Sequence, residues 1–225
     1  MVLAAALVLA AVLIAASLVS VTRGSPSAPD GPQPLIGAHE VSGLFHGLPQ
    51  NGTVLGRANA PVTMVEYADL QCPYCGMWER NTLPVLVRRY VRTGKLRIEF
   101  RGLAFIGADS EIALRTALAA SSENRLWNVV ELLYLNQGVE NSGWVTPSLL
   151  SGIFTAAGVD PAAAQPGSST VGRLQAQATA EAQAAGVRAT PTLEIGRTGQ
   201  ALHTIETTSL SPPPFDAAVR QELGS

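Results

Sequence analysis

Cysteine is almost absent from this chain of 225 residues, in which Cys72 and Cys75 are the two that occur. With no further cysteine, the sequence excludes a framework of structural disulfide bonds. The two cysteines are separated by Pro73 and Tyr74, and they follow a strand-like run. A pair at this spacing can close into a disulfide and open again, so the simplest interpretation is a redox-active site.

Histidine is also scarce, and this bears on metal binding. A zinc site takes four ligands, so the cysteine pair alone would form only half of one. The three histidines, His39, His46 and His203, are scattered without the spacing of metal ligands. The alternative of a zinc site is therefore weak, and we predict neither a bound metal nor a cofactor.

Positive charge is limited as well. The 15 Lys and Arg residues and 17 Asp and Glu residues give a formal net charge of −2, and Lys95 is the single lysine. No segment offers the basic face that phosphate groups require, so nucleic acid is excluded as the main partner. Apolar residues make up 47% of the chain, which is ample for a buried core.

Residues 1–22 form one apolar run without a charged side chain. A helix of this length would reach across a ~30 Å hydrocarbon layer. One interpretation is an uncleaved signal anchor, which is favoured because no lysine or arginine precedes the run. The other is a signal peptide cleaved near the small residues Ala15-Ala16-Ser17. Both interpretations place the rest of the protein outside the cytoplasm.

Residues 23–52 are rich in glycine, proline and serine and have no apolar period, which predicts a flexible linker. The folded domain is then expected over residues 53–225. Residues 62–67 are β-branched, apolar or aromatic apart from one glutamate, and they indicate a buried strand. Residues 96–100 alternate between apolar and polar side chains, which predicts a second strand.

A helix is predicted over residues 73–92, because proline is tolerated in a first helical turn. Pro84 should kink this helix, since it removes the hydrogen bond to the carbonyl of Arg80. The later elements are a helical block, two strands and a terminal helix, predicted over residues 109–185, 190–195, 201–207 and 214–223. This order predicts an α/β domain in which a helical block separates two pairs of strands.

Three segments of the predicted domain form an ordered set of motifs. They are residues 60–75, with Glu66 and Asp69 leading into Cys72-Pro73-Tyr74-Cys75; residues 126–144, with Leu126-Trp127, Asn136-Gln137 and Gly143-Trp144; and residues 186–192. Together they resemble the DsbA-like thiol–disulfide oxidoreductases of the thioredoxin superfamily. The resemblance covers residues 53–223. It implies a thioredoxin-like α/β fold with a helical insertion between the second and third core strands.

The two cysteines have distinct predicted roles. Their spacing places both sulfurs on the first turn of a helix, where free N–H groups and the helix dipole favour a thiolate on the leading cysteine. Cys72 is therefore predicted to be the accessible nucleophile, and Cys75 the buried thiol that resolves mixed disulfides. Pro73 and Tyr74 supply no cation to stabilise the thiolate, and we assign them to the substrate-binding surface.

Thr190-Pro191 is the second active-site element that the resemblance implies. An ordinary X-Pro bond is trans, and about 5–6% of such bonds are cis. In this superfamily the matching proline is cis and faces the cysteines, so a cis bond is expected here. The residue before it offers backbone groups to an extended substrate. Thr190 and Pro191 thus complete the predicted substrate-binding surface.

Glu66 lies in a strand whose other residues are Val, Thr, Met and Tyr. A carboxylate directed into a core is costly unless it has a role there. The resemblance implies a buried acid that relays protons to or from Cys75. The alternation of a strand also permits a solvent-facing side chain, so the sequence leaves both interpretations open.

The resemblance implies a protein disulfide oxidoreductase that acts outside the cytoplasm. The leading function is oxidation of thiols in cysteine-containing secreted proteins by a Cys72–Cys75 disulfide, with a membrane redox partner that reoxidises the pair. One alternative is a reductase or isomerase that runs the same exchange in the other direction. Another is a non-catalytic peptide-binding module on the same fold. No dimerisation module precedes the domain, so a monomer is expected.

Overall fold

The sheet contains the strands that were predicted before and after the helical block along the chain. The computed structural model describes residues 35–224, so the predicted anchor or signal segment, residues 1–22, lies outside the described residues. These residues form a six-stranded mixed sheet in the order β1-β2-β4-β3-β5-β6. The strands are β1 Gln50–Asn51, β2 Val54–Leu55, β3 Val62–Asp69, β4 Leu96–Leu103, β5 Thr192–Arg197 and β6 His203–Thr204.

Strand β3 is the centre of the sheet and leads into the cysteine motif. It runs parallel to β4 and antiparallel to β5, and all eight of its residues are buried. The predicted strands over residues 62–67 and 96–100 are confirmed, and each extends a few residues further than predicted. Because β3 is paired along both edges, its carboxyl end has a fixed position in the fold.

Apart from the first, the helices lie largely within the segments that the sequence predicted as helical. They are α1 Ala38–Phe45, α2 Pro73–Asn81, α3 Leu83–Leu86, α4 Ala108–Ala119, α5 Leu126–Leu135, α6 Pro147–Ala157, α7 Ser169–Ala184 and α8 Pro212–Leu223. In chain order α4 to α7 lie between β4 and β5, at the position of the predicted insertion. Among the described residues, none of the helices combines the length and apolarity that a membrane crossing needs.

The predicted kink at Pro84 is confirmed as a break between α2 and α3. Helix α2 ends at Asn81, and Thr82 joins it to α3, whose second residue is Pro84. The Thr82 hydroxyl donates to the carbonyl of Leu210 at 2.5 Å, which holds the break against the segment before α8. Residues Val87–Val91 then form a π-helical turn.

The side chains of β3 alternate between two cores. Met64 and Ala68 pack in the larger core, together with most of the buried side chains of the helices. Val65 and Tyr67 pack on the other face with Ala182 of α7. Because strand side chains alternate, Glu66 lies on the same face as Met64 and enters the larger core.

The prediction of a flexible linker over residues 23–52 is wrong for its second half. Helix α1 lies within it, and the side chains of Val41 and Phe45 are buried against the larger core. The guanidinium of Arg92 donates to the carbonyls of Leu44 and His46, at 2.7 and 3.1 Å. A helix this short is stabilised by tertiary contacts rather than by its own propensity. The local sequence, which is rich in glycine, therefore indicated a linker instead of a helix.

Candidate active site

The cysteine pair lies at the junction of β3 and α2. Cys72 is the N-cap of α2 and Pro73 is its first residue. The N–H at this position has no partner within a helix, so a proline there costs no hydrogen bond. Both cysteines are free thiols. Cys72 retains 5% of its surface and Cys75 none, which is the order of access predicted from the spacing.

The two thiols have opposite pKa shifts. A hydrogen bond from the Cys75 thiol is the largest cause that lowers the pKa of Cys72 to about 6, and hydrogen bonds from Thr190 and the N–H groups of Tyr74 and Cys75 add to it. Burial raises the pKa of Cys75 well above its ordinary value, and its hydrogen bond to Cys72 and the charges of Cys72 and Glu66 reinforce the shift. Near neutral pH Cys72 is therefore a thiolate, whereas Cys75 keeps its proton.

The predicted cis bond between Thr190 and Pro191 is confirmed, and it lies against the cysteines. The Sγ atom of Cys72 is 3.3 Å from the carbonyl oxygen of Thr190. Pro73 and Tyr74 are exposed beside it, with 61% of the Tyr74 surface accessible. The structure thus brings Cys72 and the four residues assigned to substrate binding to one face.

Glu66 is completely buried, so the solvent-facing alternative is wrong. In the sheet it lies opposite Phe100 of β4 and Leu193 of β5. Burial raises the pKa of Glu66 to about 8, a hydrogen bond with Glu79 opposes this shift, and the charge of Cys72 adds to it. The carboxyl group therefore holds a proton near neutral pH.

Asp69, at the end of β3, fixes the loops around the site. Its carboxylate accepts hydrogen bonds from the N–H of Gln71 and the hydroxyl of Ser110, at 2.9 and 2.6 Å. It also accepts from the N–H groups of Phe105 and Ile106, at 3.0 and 3.2 Å. The segment after β4 is therefore tied to the strand that carries the cysteine motif.

Gln137, which the sequence placed in the second motif without a role, is a residue of the site. Its side-chain amide donates to the carbonyls of Leu70 and Cys72, at 2.9 and 3.1 Å. It reaches them across Gly76, where a Cβ atom would lie 2.9 Å from its Oε1 atom. Because these contacts join α2 to the segment after α5, no local pattern could have indicated them.

Glu79 and Glu131 were also missed, although each left a signal in the sequence. Glu79 is four residues after Cys75 and therefore on the same side of α2, and Glu131 is the one charged residue in α5. Their exposures are 0% and 3%. Among the described residues, no group of three or more His, Cys, Asp and Glu side chains is arranged to hold a metal ion.

A reactive cysteine at a helix N-terminus, a buried second cysteine and an adjacent cis-proline define the class of thioredoxin-like proteins. The chain belongs to the thioredoxin family, because residues 49–209 match the family model described as Thioredoxin. This match confirms the predicted superfamily and fold class.

Individual relatives agree with this assignment. A protein described as probable disulfide bond formation protein D of Bacillus cereus is 35% identical over 101 residues, which cover 44% of this chain and 47% of that protein. The chain thus spans about half the length of this curated relative. BdbD from Bacillus subtilis has a TM-score of 0.66 at 22% identity, covering 79% of this chain and 98% of that one. For alpha-DsbA1 of Wolbachia pipientis the TM-score is 0.66 at 19% identity, covering 79% and 94%.

The pKa difference between the thiols predicts selective alkylation. In the reduced protein, the rate at which iodoacetamide labels Cys72 should rise with pH through a midpoint near 6, since only the thiolate reacts. Cys75 should remain unlabelled in the folded protein. Mass analysis of labelled peptides measures both rates, and Cys72→Ser is the control that should lose the titration. A midpoint near the free value of about 8.5, or equal labelling of both thiols, would contradict the assignment.

Proposed function

We propose that this protein catalyses thiol–disulfide exchange on cysteine-containing proteins outside the cytoplasm, and that it works mainly as an oxidant. The observation that carries the proposal is the position of the two thiols at the helix N-terminus, where Cys72 lies against the carbonyl of Thr190 before the cis-proline and Cys75 is buried. Cys72 has its pKa lowered to about 6 next to Thr190, whereas Cys75 has its pKa raised in a buried position. One thiol is thereby suited to attack and to leave, and the other to hold a proton.

The exchange proceeds in two displacements. A substrate thiolate attacks the Cys72 sulfur of the enzyme disulfide, and the bond to Cys75 breaks, so that Cys75 leaves with the electron pair and takes up a proton. A second substrate thiolate then attacks the substrate sulfur of this mixed disulfide. The sulfur of Cys72 leaves as a thiolate, and a disulfide forms within the substrate. The substrate loses two electrons and gains a disulfide, and the enzyme pair is reduced.

The low pKa of Cys72 also supports the direction of the reaction. A stabilised thiolate favours the reduced enzyme, and this makes the enzyme disulfide more oxidising. The test is the equilibrium of the Cys72–Cys75 pair against glutathione buffers, measured by trapping free thiols. We expect a reduction potential on the order of −200 mV for this pair. A value below about −260 mV would contradict an oxidase and favour a reductase.

The substrate surface that we propose is apolar and lies around Cys72. We assign to it four exposed side chains, which are Tyr74 and Met77 of α2, Phe105, and Val139 after α5, with 61%, 43%, 60% and 78% of their surfaces accessible. Phe105 follows β4 and is anchored through its N–H to Asp69. An extended peptide beside Thr190 would meet both backbone groups and this apolar surface. Such a surface suits unfolded chains that still expose their own apolar side chains.

After each turnover, the reduced pair must pass two electrons to an acceptor. We propose that a membrane redox partner accepts them. The apolar run over residues 1–22, as an anchor or as a signal for export, would bring the domain to the same compartment. The acceptor would have to reach Cys72, which is the more exposed of the two sulfurs.

Cys75→Ser should trap substrates. With no second thiol to resolve them, mixed disulfides between Cys72 and substrate proteins should accumulate, because the chain has no third cysteine. Non-reducing gels of cells that express the variant should show slow bands that collapse with reductant. The double variant Cys72→Ser, Cys75→Ser is the control and should trap nothing. Absence of bands with Cys75→Ser would favour a non-catalytic peptide-binding module.

Glu66→Gln should slow exchange and change how stability depends on pH. The unfolded carboxyl loses its proton near its ordinary pKa of 4.5, whereas the folded one keeps it until about 8. The folded state therefore binds more protons between these values, and the free energy of unfolding falls as pH rises through that window. Glutamine does not titrate in this range, so the free energy of unfolding of the variant should fall less steeply as pH rises.

Denaturant unfolding across pH 5–8 measures this slope, and stopped-flow exchange with a dithiol peptide measures turnover. Glu194→Gln is the matched control, because Glu194 pairs with Val65 and thus lies on the other face of the sheet. An unchanged slope together with unchanged exchange would remove Glu66 from the proposed mechanism.

A further inference from the structure

The loop after α5, residues 137–143, lies beside the cysteine motif. At the start of this loop, Gln137 donates to the carbonyls of Leu70 and Cys72. Two residues further, Val139 exposes 78% of its surface. An exposed apolar side chain is thus placed within two positions of a residue that contacts the backbone of the nucleophilic cysteine.

Gln71, the residue before Cys72, holds the same loop further along. Its side chain is buried, and only 1% of the residue is exposed. The Oε1 atom of Gln71 accepts a hydrogen bond from the N–H of Asn141 at 2.7 Å, and its Nε2 atom donates to the Oδ1 atom of Asn141 at 3.4 Å. The backbone of Asn141 is left-handed, with a φ of 57°, which asparagine tolerates better than most residues. The buried amide therefore fixes a turn of the loop.

The same amide also reaches the segment after β4. The Nε2 atom of Gln71 donates to the hydroxyl of Ser110 at 3.0 Å, and this hydroxyl donates to the carboxylate of Asp69 at 2.6 Å. The segment carries Phe105, which exposes 60% of its surface and whose N–H also donates to Asp69. Gln71 is therefore bonded to both of the segments that present these exposed apolar side chains.

The loop and the segment after β4 also contact each other directly. The Nδ2 atom of Asn141 donates to the carbonyl of Ile106 at 3.2 Å, and the N–H of Gly143 donates to the carboxylate of Asp109 at 2.9 Å. Gly107 allows this close approach, because a Cβ atom there would overlap the Oδ1 atom of Asn141 and lie 2.8 Å from its Cγ atom. The backbone of Gly107 is extended, so it is the contact that favours glycine at this position.

These bonds affect what a substrate meets when it arrives. Surface loops are usually mobile, and a loop that becomes ordered on binding loses conformational entropy, which weakens the binding. One buried amide that bonds the cysteine motif, the loop and the segment after β4 holds all three in one arrangement beforehand. The side chains of Phe105 and Val139 are then presented to a substrate without this cost.

We propose that Gln71 is a positioning residue for substrate selection, because its amide holds Phe105 and Val139 in place as contacts for apolar residues next to a substrate cysteine. The inference rests on the proposed function, since it concerns the chain whose thiol reacts at Cys72. The side chain of Gln71 bonds to the two segments and acts through them. It should therefore govern how well a substrate binds rather than the chemistry of the sulfurs.

The test compares three thiols as reductants of the oxidised full-length protein. The first is a peptide with two cysteines and a leucine beside each of them. The second is the same peptide with serine in place of the leucines. The third is glutathione, which has no apolar side chain. Rapid acid quench and mass analysis of the protein give a maximal rate and a half-saturating concentration for each peptide, and a rate for glutathione.

Two variants loosen the arrangement from different sides. Gln71→Leu keeps the approximate volume of the side chain but removes its hydrogen bonds, whereas Gly107→Ala leaves Gln71 in place and displaces the side chain of Asn141. Gln50→Leu is the matched control. Gln50 is also a partly buried glutamine whose amide bonds two groups, at 2.8 and 3.1 Å, but these lie at the start of α5. Its loss accounts for any general effect of removing a bonded amide.

The unmodified protein should reach half-saturation at a lower concentration of the leucine peptide than of the serine peptide. Gln71→Leu and Gly107→Ala should each raise this concentration about 5-fold or more for the leucine peptide, with a much smaller change in the maximal rate and in the two other reactions. Gln50→Leu should keep the preference of the unmodified protein. An equal loss with all three thiols, or the same loss in Gln50→Leu, would overturn the inference.

Hydrogen exchange at the N–H of Asn141, measured by NMR, gives an independent readout. This exchange should accelerate in Gln71→Leu, which lacks the acceptor, but not in Gln50→Leu. Unchanged exchange in Gln71→Leu would contradict the positioning role. If Gln71→Leu did not fold, the kinetics of Gly107→Ala would decide alone.

The same measurements separate this inference from the proposed function. If the unmodified protein oxidised neither peptide, the proposed function would fail. If it oxidised both, either without a preference or with one that Gln71→Leu and Gly107→Ala retain, only the positioning role would fail.

Discussion

The chemistry of this molecule depends on how the N-terminus of α2 is held at the end of β3. Strand β3 is buried over its whole length, paired with β5 as far as Tyr67 and with β4 as far as Asp69, so the end of the strand is held in place. Asp69 and Gln137 then fasten the short connection from the strand to the helix on two sides. This rigidity keeps the first helical N–H groups directed at Cys72, which a mobile helix end would not do.

Much of this arrangement could be predicted from the sequence, because its signals are local. The spacing of Cys72 and Cys75 and the break at Pro84 follow from helix geometry, and the cis bond before Pro191 followed from the family resemblance. The rest could not be predicted, because it depends on contacts between distant segments. Gln137 meets Cys72 across 65 positions, and α1 is stable only because it packs against the larger core.

Electrostatics divides the site into two regions that share one helix. At the N-terminus of α2, hydrogen bonds stabilise the negative charge of Cys72. One to two turns further along α2, Glu79 is buried and, among the described residues, no group donates a hydrogen bond to its carboxyl oxygens, so a negative charge there is unfavourable. The same helix therefore holds a group that gives up its proton easily beside groups that retain theirs, and this separation keeps the two cysteines distinct although they are only three positions apart.

The anchoring of Phe105 by Asp69 has a consequence for timing. Because the N–H of Phe105 is bound to the carboxylate of Asp69, the backbone that carries its exposed ring is held at the end of the strand that leads to Cys72. A nascent chain offers apolar neighbours next to its cysteines and can settle on such a prearranged surface with little loss of conformational freedom. Once that chain has folded, the same neighbours are buried inside it. Under the proposed function, we expect contact with the protein to end at that moment, so that folding of the substrate itself ends the exchange.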